Sequence, residues 1–532
     1  MSAPVAFHPT RWRAWPLLGI LIGALLLRGL FLGSLPPALF RDEAEKLYTA
    51  WCLATTGHDA EGRLLPLFIR VFGVTTSAVY QYAAIPFVWL LGPNEWSARL
   101  PAAVVGTLTV LFLWLWARRV YGELVANWGA LLLALSPWHV VFSRWAQQGI
   151  FLPLWLAVGM WAWSNFLSGK RWGAILAGAC LGVAIYTYDV ARLFVPLFTL
   201  GFACFHAKEI RQRWRDTLLA LLAFGLCVLP TFVFLVTATE QAQARFQRIS
   251  IFQPDASLGS IARVFLGNYF AHYSPAFLLW RGDAELRHGA GVGVLNWVEA
   301  VTLVVGLGVA VRRRSPWDRT LLWWFLVFPV AASLTREGIP HALRSIVAQP
   351  AVAMLSGIGA AQLILAVRET WRKHIAQLIF LGALVGFLPF AARYFGPYRH
   401  ESAANWQYGV KQSLELLAPH LDLVDSVVFY NIFGAEYLVG VYAKIPPRAF
   451  QLNSPRMGKF EFPPFHAPLR ELYRARVGPT AYVTLPLYPP PPEGHVVAIS
   501  AKENASPVAV VYLNRPLWER LRERGDGASN KP

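Results

Sequence analysis

Cysteine is scarce: Cys52, Cys180, Cys204 and Cys227 are the four in a chain of 532 residues. None stands in CxxC or CxxH spacing, so neither a disulfide framework nor a thiolate metal site is supported. Charge is sparse too, at 15% of residues against 56% hydrophobic. That balance excludes an ordinary soluble globular chain of this size and implies a polytopic membrane protein. Acids are the scarcer sign, 30 against 48 basic residues, for a net charge of +18. In a soluble protein that excess would suggest nucleic acid. Here the arginines cluster between apolar runs, as topogenic residues do, and nucleic acid is excluded as a partner. No internal repeat is visible, and Pro489–Pro492 reads as a local stiff turn.

What the sequence does have is apolar runs of membrane-crossing length, roughly 20 residues each within a range of about 17–25. Runs near 16–34, 98–117, 122–138, 150–167, 173–188, 191–206, 216–237, 291–311, 320–335, 345–367 and 375–392 predict eleven spans. The first follows Arg11 and Arg13 as a signal peptide would. It is long and lacks an Ala-x-Ala site, so it reads as an uncleaved span. The run 78–92 is short, carries Pro86 and reads as interfacial or re-entrant. Basic clusters at Arg11/Arg13, Arg118/Arg119, Lys170/Arg171, 208–215, Arg312–Arg314 and 368–373 fall in alternate connections. The positive-inside rule makes these cytoplasmic, with the N-terminus. The connections 35–97, 139–149, 189–190, 238–290 and 336–344, and everything after 392, then face outward.

After 392 the apolar runs shorten and proline becomes frequent. Helices are expected at 403–417 and 433–443, and short strands at 425–430, 480–485, 495–500 and 507–513. About 140 residues suffice for a small α/β domain. The last dozen residues read as disordered. The expected fold class is therefore a polytopic α-helical membrane protein of about eleven spans with a C-terminal extracytoplasmic small α/β domain. Residues 1–392 form the transmembrane domain, with a catalytic first outer loop at 35–97, and 393–532 form the outer domain. The expected location is the cytoplasmic membrane.

The first outer loop opens with Phe40-Arg-Asp-Glu-Ala-Glu-Lys-Leu-Tyr48, placing Asp42, Glu43 and Glu45 within one turn of chain. Ala44, Leu47, Trp51 and Ala54 recur at helical spacing, which predicts an amphipathic helix on the membrane surface with its acids toward water. A carboxylate at that boundary can take a proton from an incoming hydroxyl. The same residues also fit a capping box, with Asp42 as N-cap and Glu45 reaching back. Lys46, Arg63 and Tyr80 share this loop, Arg144 stands in the second, and His341 and Arg344 in 336–344. Arginine holds phosphate by paired hydrogen bonds, so carboxylates and Arg/His on one side of an apolar bundle suit a lipid carrier with an anionic head. Each has a plainer reading: Arg144 as a snorkelling side chain, His341-x-x-Arg344 as a polar helix start, Asp189 and Arg192 as a structural ion pair. His8 reads as an interface anchor, and Glu299 lies near the outer end of its span. No His/Asp cluster argues for a metal, and neither metal nor cofactor is expected.

The order Phe40–Tyr48, then Tyr80-Gln-Tyr82, Gly92-Pro-Asn-Glu-Trp-Ser-Ala-Arg-Leu-Pro101 and Phe142-Ser-Arg-Trp-Ala146 resembles the C-type membrane glycosyltransferases. The nearest groups are bacterial protein mannosyltransferase-like enzymes and the aminoarabinose transferase of lipid A. The resemblance implies a transferase using a polyprenyl-phosphate-linked sugar on the extracytoplasmic side, with a protein, lipid or glycan acceptor. It implies Asp42 as the base, Glu43 as its neighbour and Arg144 near the donor phosphate. Many relatives place a second acid shortly after the Ser-Arg pair; here Gln147, Gln148 and Gly149 stand there. Two rival readings stay open: a transporter of lipid-linked saccharide, and a catalytically silent relative acting in assembly.

Overall fold

The computed structural model describes residues 15–453, 456–490, 494–501 and 506–525. His8, Arg11, Arg13, the second half of the Pro489–Pro492 turn and most of the C-terminal dozen lie outside them.

Helices occupy all eleven expected span segments, from Trp15–Gly29 to Glu369–Phe395. Among the described residues five are long and apolar enough to cross a membrane: Glu95–Tyr121, Gln148–Leu167 with its 3₁₀ start, Trp214–Thr237, Ile346–Leu365 and Glu369–Phe395. The others are shorter, among them Glu123–Ala134, Arg171–Thr187 and Ala191–Phe205. The expected span at 320–335 is broken, with helix at Pro316–Val327 and then Val330–Ser333, because Pro329 cannot donate to the ladder between them. The run 78–92 forms a helix at Val79–Leu91 with Pro86 inside it.

The chain divides into two compact units. The first is Met1–Leu30, Leu67–Val79 and Ala102–Tyr394. The second joins Phe31–Pro66 and Tyr80–Pro101 to Phe395–Pro532. The first outer loop, assigned by sequence to the membrane domain, thus belongs mostly to the same unit as the C-terminal region.

In the first unit, helix packing relies on glycine. A Cβ added at Gly306 would stand 1.9 Å from the Leu355 carbonyl oxygen, and one at Gly359 would stand 1.8 Å from that of Thr302. Helices Trp297–Arg313 and Gln349–Leu365 therefore meet backbone to backbone, as small residues allow where lipid removes the hydrophobic drive. Gly308, on the same helix as Gly306, has nothing within 4 Å of its added Cβ. Gly359→Ala should lower the thermal midpoint, at an overpacking cost of about 1–3 kcal/mol or more, while Gly308→Ala leaves it level or raises it. Tryptophan fluorescence on the purified variants reads both midpoints, and equal values for the two would contradict this packing. Leu67–Val79 adds a hairpin, β1 Phe68–Val71 against β2 Val74–Ser77.

The second unit holds a six-stranded mixed sheet. Its strands are β3 Ser426–Phe429, β4 Arg456–Met457, β5 Phe460–Glu461, β6 Thr480–Thr484, β7 His495–Ser500 and β8 Pro507–Leu513. They run in the order β4-β5-β3-β6-β8-β7. β3 lies parallel to β5 and β6, and β8 pairs antiparallel with β6 and β7. Every residue of β3 and β6 is buried, which explains why their centres are apolar without alternation, whereas the burial of edge strand β7 alternates. Helices Tyr408–Leu417 and Ala435–Tyr442 stand within the two helical segments expected by sequence.

Candidate active site

The helix bearing the acidic turn runs from Arg41 to Thr56 and ends at Gly57, whose φ of 72° supplies the left-handed C-cap. It is not a surface helix. Glu43 to Ala50 are all buried. Tyr48 donates to the Ile445 carbonyl at 2.6 Å and packs on the Phe450 ring with centroids 4.4 Å apart. The Leu39 N–H donates to Tyr442 Oη at 2.8 Å. These contacts span some four hundred positions of sequence, so local periodicity carries no trace of them.

The three carboxylates have separate fates. Glu43 is fully buried, and so is Arg99. Arg99 Nε donates to Glu43 Oε1 at 3.0 Å and Nη2 to Oε2 at 2.9 Å. The remaining guanidinium protons go to the carbonyls of Leu32, Pro36 and Ala38 at 3.0, 2.9 and 2.6 Å. All five donors of the fork are used. Glu43 Oε2 also accepts the Phe40 N–H at 3.2 Å. The expected capping by Asp42 and Glu45 is thus corrected by two residues: the helix begins after Phe40, and Glu43 is the acid reaching back.

Glu45 is 1% exposed. It accepts from Gln81 Nε2 at 3.1 Å and from Thr49 Oγ1 at 3.2 Å. Burial raises its pKa above the ordinary 4.5, against the opposing pull of the Lys46 charge and the Gln81 hydrogen bond. A carboxyl whose folded pKa is raised takes up a proton on folding. Its stabilising contribution is complete below the unfolded pKa and declines as pH rises through the window up to the folded pKa. Glu45→Gln removes that decline. The variant should gain thermal midpoint over wild type at about pH 8 and gain less at about pH 5. A gain that shrinks with rising pH would contradict the burial assignment.

Asp42 is the carboxylate left open. Its side chain is 34% exposed, with Arg41 Nε 3.7 Å from Oδ1. One turn on, Lys46 Nζ donates to the Asp42 carbonyl at 3.2 Å. Arg63 grips Asp59 from its Nε and Nη2, each at 2.8 Å, and Nη2 also approaches Glu61. Tyr80 is buried and donates to the Ala98 carbonyl at 2.8 Å. Asp42, Glu43, Lys46, Arg63 and Tyr80 all belong to the second unit.

Arg144, His341 and Arg344 belong to the first. Arg144 is fully buried and braces the first helix, donating to the Leu27 and Leu30 carbonyls at 2.9 and 2.7 Å. Arg344 donates from Nη1 to Thr335 Oγ1 at 2.6 Å and to the Glu337 carbonyl at 3.0 Å. The helix start expected at His341-x-x-Arg344 is a run of turns instead, followed by a 3₁₀ turn at Ile346–Ala348. Asp189 and Arg192 form the expected ion pair, at 2.9 Å.

Sequence reasoning missed Arg28, Arg99 and Glu45 as members of these networks. Arg28 is fully buried and donates to the carbonyls of Ala24, Ala134 and Leu133 and to His139 Nδ1, the last at 2.8 Å. Arginine has no acceptor, so His139 carries its ring proton on Nε2. Burial first, then the Arg28 charge, holds the His139 pKa well below its ordinary value. Among the described residues no carboxylate pairs with Arg28, and that was the available signal: an arginine inside the first apolar run.

The family model of dolichyl-phosphate-mannose-protein mannosyltransferases matches residues 67–234. No curated protein sequence matches the chain. Among solved structures, ArnT from Cupriavidus metallidurans bound to undecaprenyl phosphate has 14% identity and a TM-score of 0.60, covering 94% of this chain and 98% of that one. An oligosaccharyltransferase from Archaeoglobus fulgidus, in complex with Zn and sulfate, has 15% identity and a TM-score of 0.51, over 80% of this chain and 61% of that one. The archaeal oligosaccharyltransferase AglB from Archaeoglobus fulgidus, in complex with an inhibitory peptide and a dolichol-phosphate, has 14% identity and a TM-score of 0.50, over 81% and 63%. The chain thus matches ArnT over nearly its whole length and the oligosaccharyltransferases over less than two thirds of theirs. The fold is that of the C-type membrane glycosyltransferases.

Proposed function

We propose that this multi-pass membrane protein, built on the C-type glycosyltransferase fold, moves a sugar from a polyprenyl-phosphate donor to a hydroxyl of a protein, lipid or glycan. The observation that carries this reading is the unequal treatment of the three acids. Glu43 and Glu45 are buried in hydrogen bonds, while Asp42 alone opens to solvent from the same turn. The base is Asp42. It takes the proton of the acceptor hydroxyl as that oxygen bonds to the anomeric carbon. The bond from the anomeric carbon to the phosphate oxygen breaks, and the polyprenyl phosphate leaves with the electron pair. Attack opposite the leaving group inverts the anomeric centre.

Glu43, locked by Arg99, positions the turn. Lys46, held against the Asp42 carbonyl, keeps positive charge beside the base. The likeness to lipid-phosphate-using transferases makes Arg144, with Arg344, the candidate for donor phosphate, whose oxygens accept charge-assisted hydrogen bonds from arginine. The basic clusters in alternate connections support an N-terminus in the cytoplasm and a C-terminal region on the outer face of the cytoplasmic membrane.

The test is turnover by the full chain in lipid nanodiscs, given synthetic polyprenyl-phosphate hexoses and pentoses together with hydroxyl acceptors. One donor should be consumed, with polyprenyl phosphate and glycosylated acceptor appearing one for one. Passage of intact donor across sealed vesicles without cleavage would establish the transporter instead. Binding without turnover of any donor would establish the silent relative.

A further inference from the structure

The geometry points to a divalent transition-metal site, of the class zinc occupies, formed by Asp283, His288 and His341. It uses none of the residues of the acidic turn and does not rest on the transferase reading. Among the described residues these three are the one group whose ligand atoms all lie within 4.8 Å of one another. The side chains are 1%, 11% and 10% exposed. Such burial favours groups that are tied to one another or to an ion.

The distances suit a small ion. Zinc binds imidazole nitrogen at about 2.0–2.1 Å and carboxylate oxygen at about 2.0–2.2 Å, which sets neighbouring tetrahedral ligands roughly 3.3–3.5 Å apart. Here His288 Nδ1 stands 2.8 Å from Asp283 Oδ2, and His341 Nδ1 stands 3.9 Å from the same oxygen. The two separations bracket the required one, and all three ligand atoms lie within 4.8 Å of one another, so an ion would draw the side chains inward. The imidazoles are 4.6 Å apart between centroids and tilted by 33°. Two imidazoles and one carboxylate leave a fourth position for water.

The protonation pattern also fits. His341 Nδ1 accepts the Arg344 N–H at 3.3 Å. Its ring proton is therefore on Nε2, and an ion bound at Nδ1 takes the place of the long Arg344 hydrogen bond at that lone pair. His288 shares its Nδ1 proton with Asp283, and on metal binding that proton moves to Nε2, leaving the ring neutral.

Outer partners hold the ligands in place, as metal sites require. Asp283 Oδ1 accepts the Glu285 N–H at 2.9 Å, and Oδ2 accepts the Ala342 N–H at 2.8 Å. The His341 N–H donates to His272 Nε2 at 3.2 Å, and His272 Nδ1 donates to the Asn268 carbonyl at 2.8 Å. Trp145 lies over His288, with ring centroids 5.5 Å apart. An ion at this point would clip the turn at 283–288 to the segment that carries Arg344, adding to the one hydrogen bond from the Ala342 N–H to Asp283.

The experiment uses the full chain in lipid nanodiscs, saturated with Zn2+, dialysed, and assayed for metal by mass spectrometry. Wild type should retain about one equivalent per chain. His288→Gln and His341→Gln should each lose it, by more than about tenfold. His374→Gln, at an exposed position on Glu369–Phe395, should match wild type. Co2+ replacing Zn2+ in wild type should show the visible bands of a four-coordinate site, absent from both ligand variants. Tryptophan fluorescence identifies which variants are folded, and either folded variant decides the question. Wild type retaining no metal, or a folded ligand variant retaining as much as wild type, would overturn the site.

Discussion

Asp42→Asn should abolish most sugar transfer, by about 10²–10⁴-fold in kcat, while leaving the thermal midpoint close to wild type. The split follows from where each carboxylate stands. Asparagine has the shape of aspartate, and the Asp42 side chain is a third exposed, with Arg41 Nε 3.7 Å from Oδ1. Exposed pairs of that kind contribute about 0–1 kcal/mol. Folding therefore has little to lose at this position. The reaction has much to lose, because an amide cannot accept the hydroxyl proton. The assay is release of polyprenyl phosphate from a synthetic donor in the presence of acceptor, run on both proteins in lipid. Equal rates would return Asp42 to an ordinary first-turn helix residue. A fall in rate with an equal fall in midpoint would show that the turn itself had been disturbed.

Much of the frame was legible because membranes impose strong composition rules. Apolar runs mark helices, five of them among the described residues long and apolar enough to cross a membrane. The C-terminal strands were legible for a related reason. β3 and β6 lie in the middle of their sheet, so their centres, Val427–Phe429 and Ala481–Val483, are apolar without alternation. The acidic turn was visible as a motif, but its environment was not. Helical periodicity at Ala44, Leu47 and Trp51 identifies one apolar face, and from that a surface helix is the natural inference. The opposite face is buried as well, because Arg99 and Gln81 bring polar partners to Glu43 and Glu45. Amphipathic patterning reports which residues are oily, not which polar residues find a partner far along the chain. The same holds for Asp283, His288 and His341. More than fifty positions separate the first two from the third, so no ligand spacing appears in the sequence. Arg99 was on view within the Gly92–Pro101 motif, yet nothing local assigns it to Glu43.

The larger stability effect belongs to that pair. Arg99→Ala should destabilise the chain by about 3–5 kcal/mol, the usual consequence of leaving one partner of a buried ion pair alone. Three carbonyls, those of Leu32, Pro36 and Ala38, lose their donor at the same time, each at about 1 kcal/mol or more if no water replaces it. Arg99→Lys keeps the charge and loses the fork, so it should fall between wild type and alanine. The double variant Glu43→Gln with Arg99→Ala separates the two contributions. If the stranded Glu43 charge dominates, the double variant is more stable than Arg99→Ala. If the carbonyls dominate, the two are equal. The five-fold use of the guanidinium favours a mixed result, with the double variant recovering part of the loss. Thermal unfolding in nanodiscs followed by tryptophan fluorescence reads the series. An Arg99→Ala midpoint equal to wild type would show that the pair does not hold the turn. Activity adds a second readout, since Arg99 touches no reacting atom in the proposed reaction and acts by fixing Phe40–Glu43. Its variants should lower kcat through misplacement of Asp42, and Arg99→Lys should recover more activity than alanine does. Asp42→Asn has no such intermediate, because a missing base is not restored by better positioning.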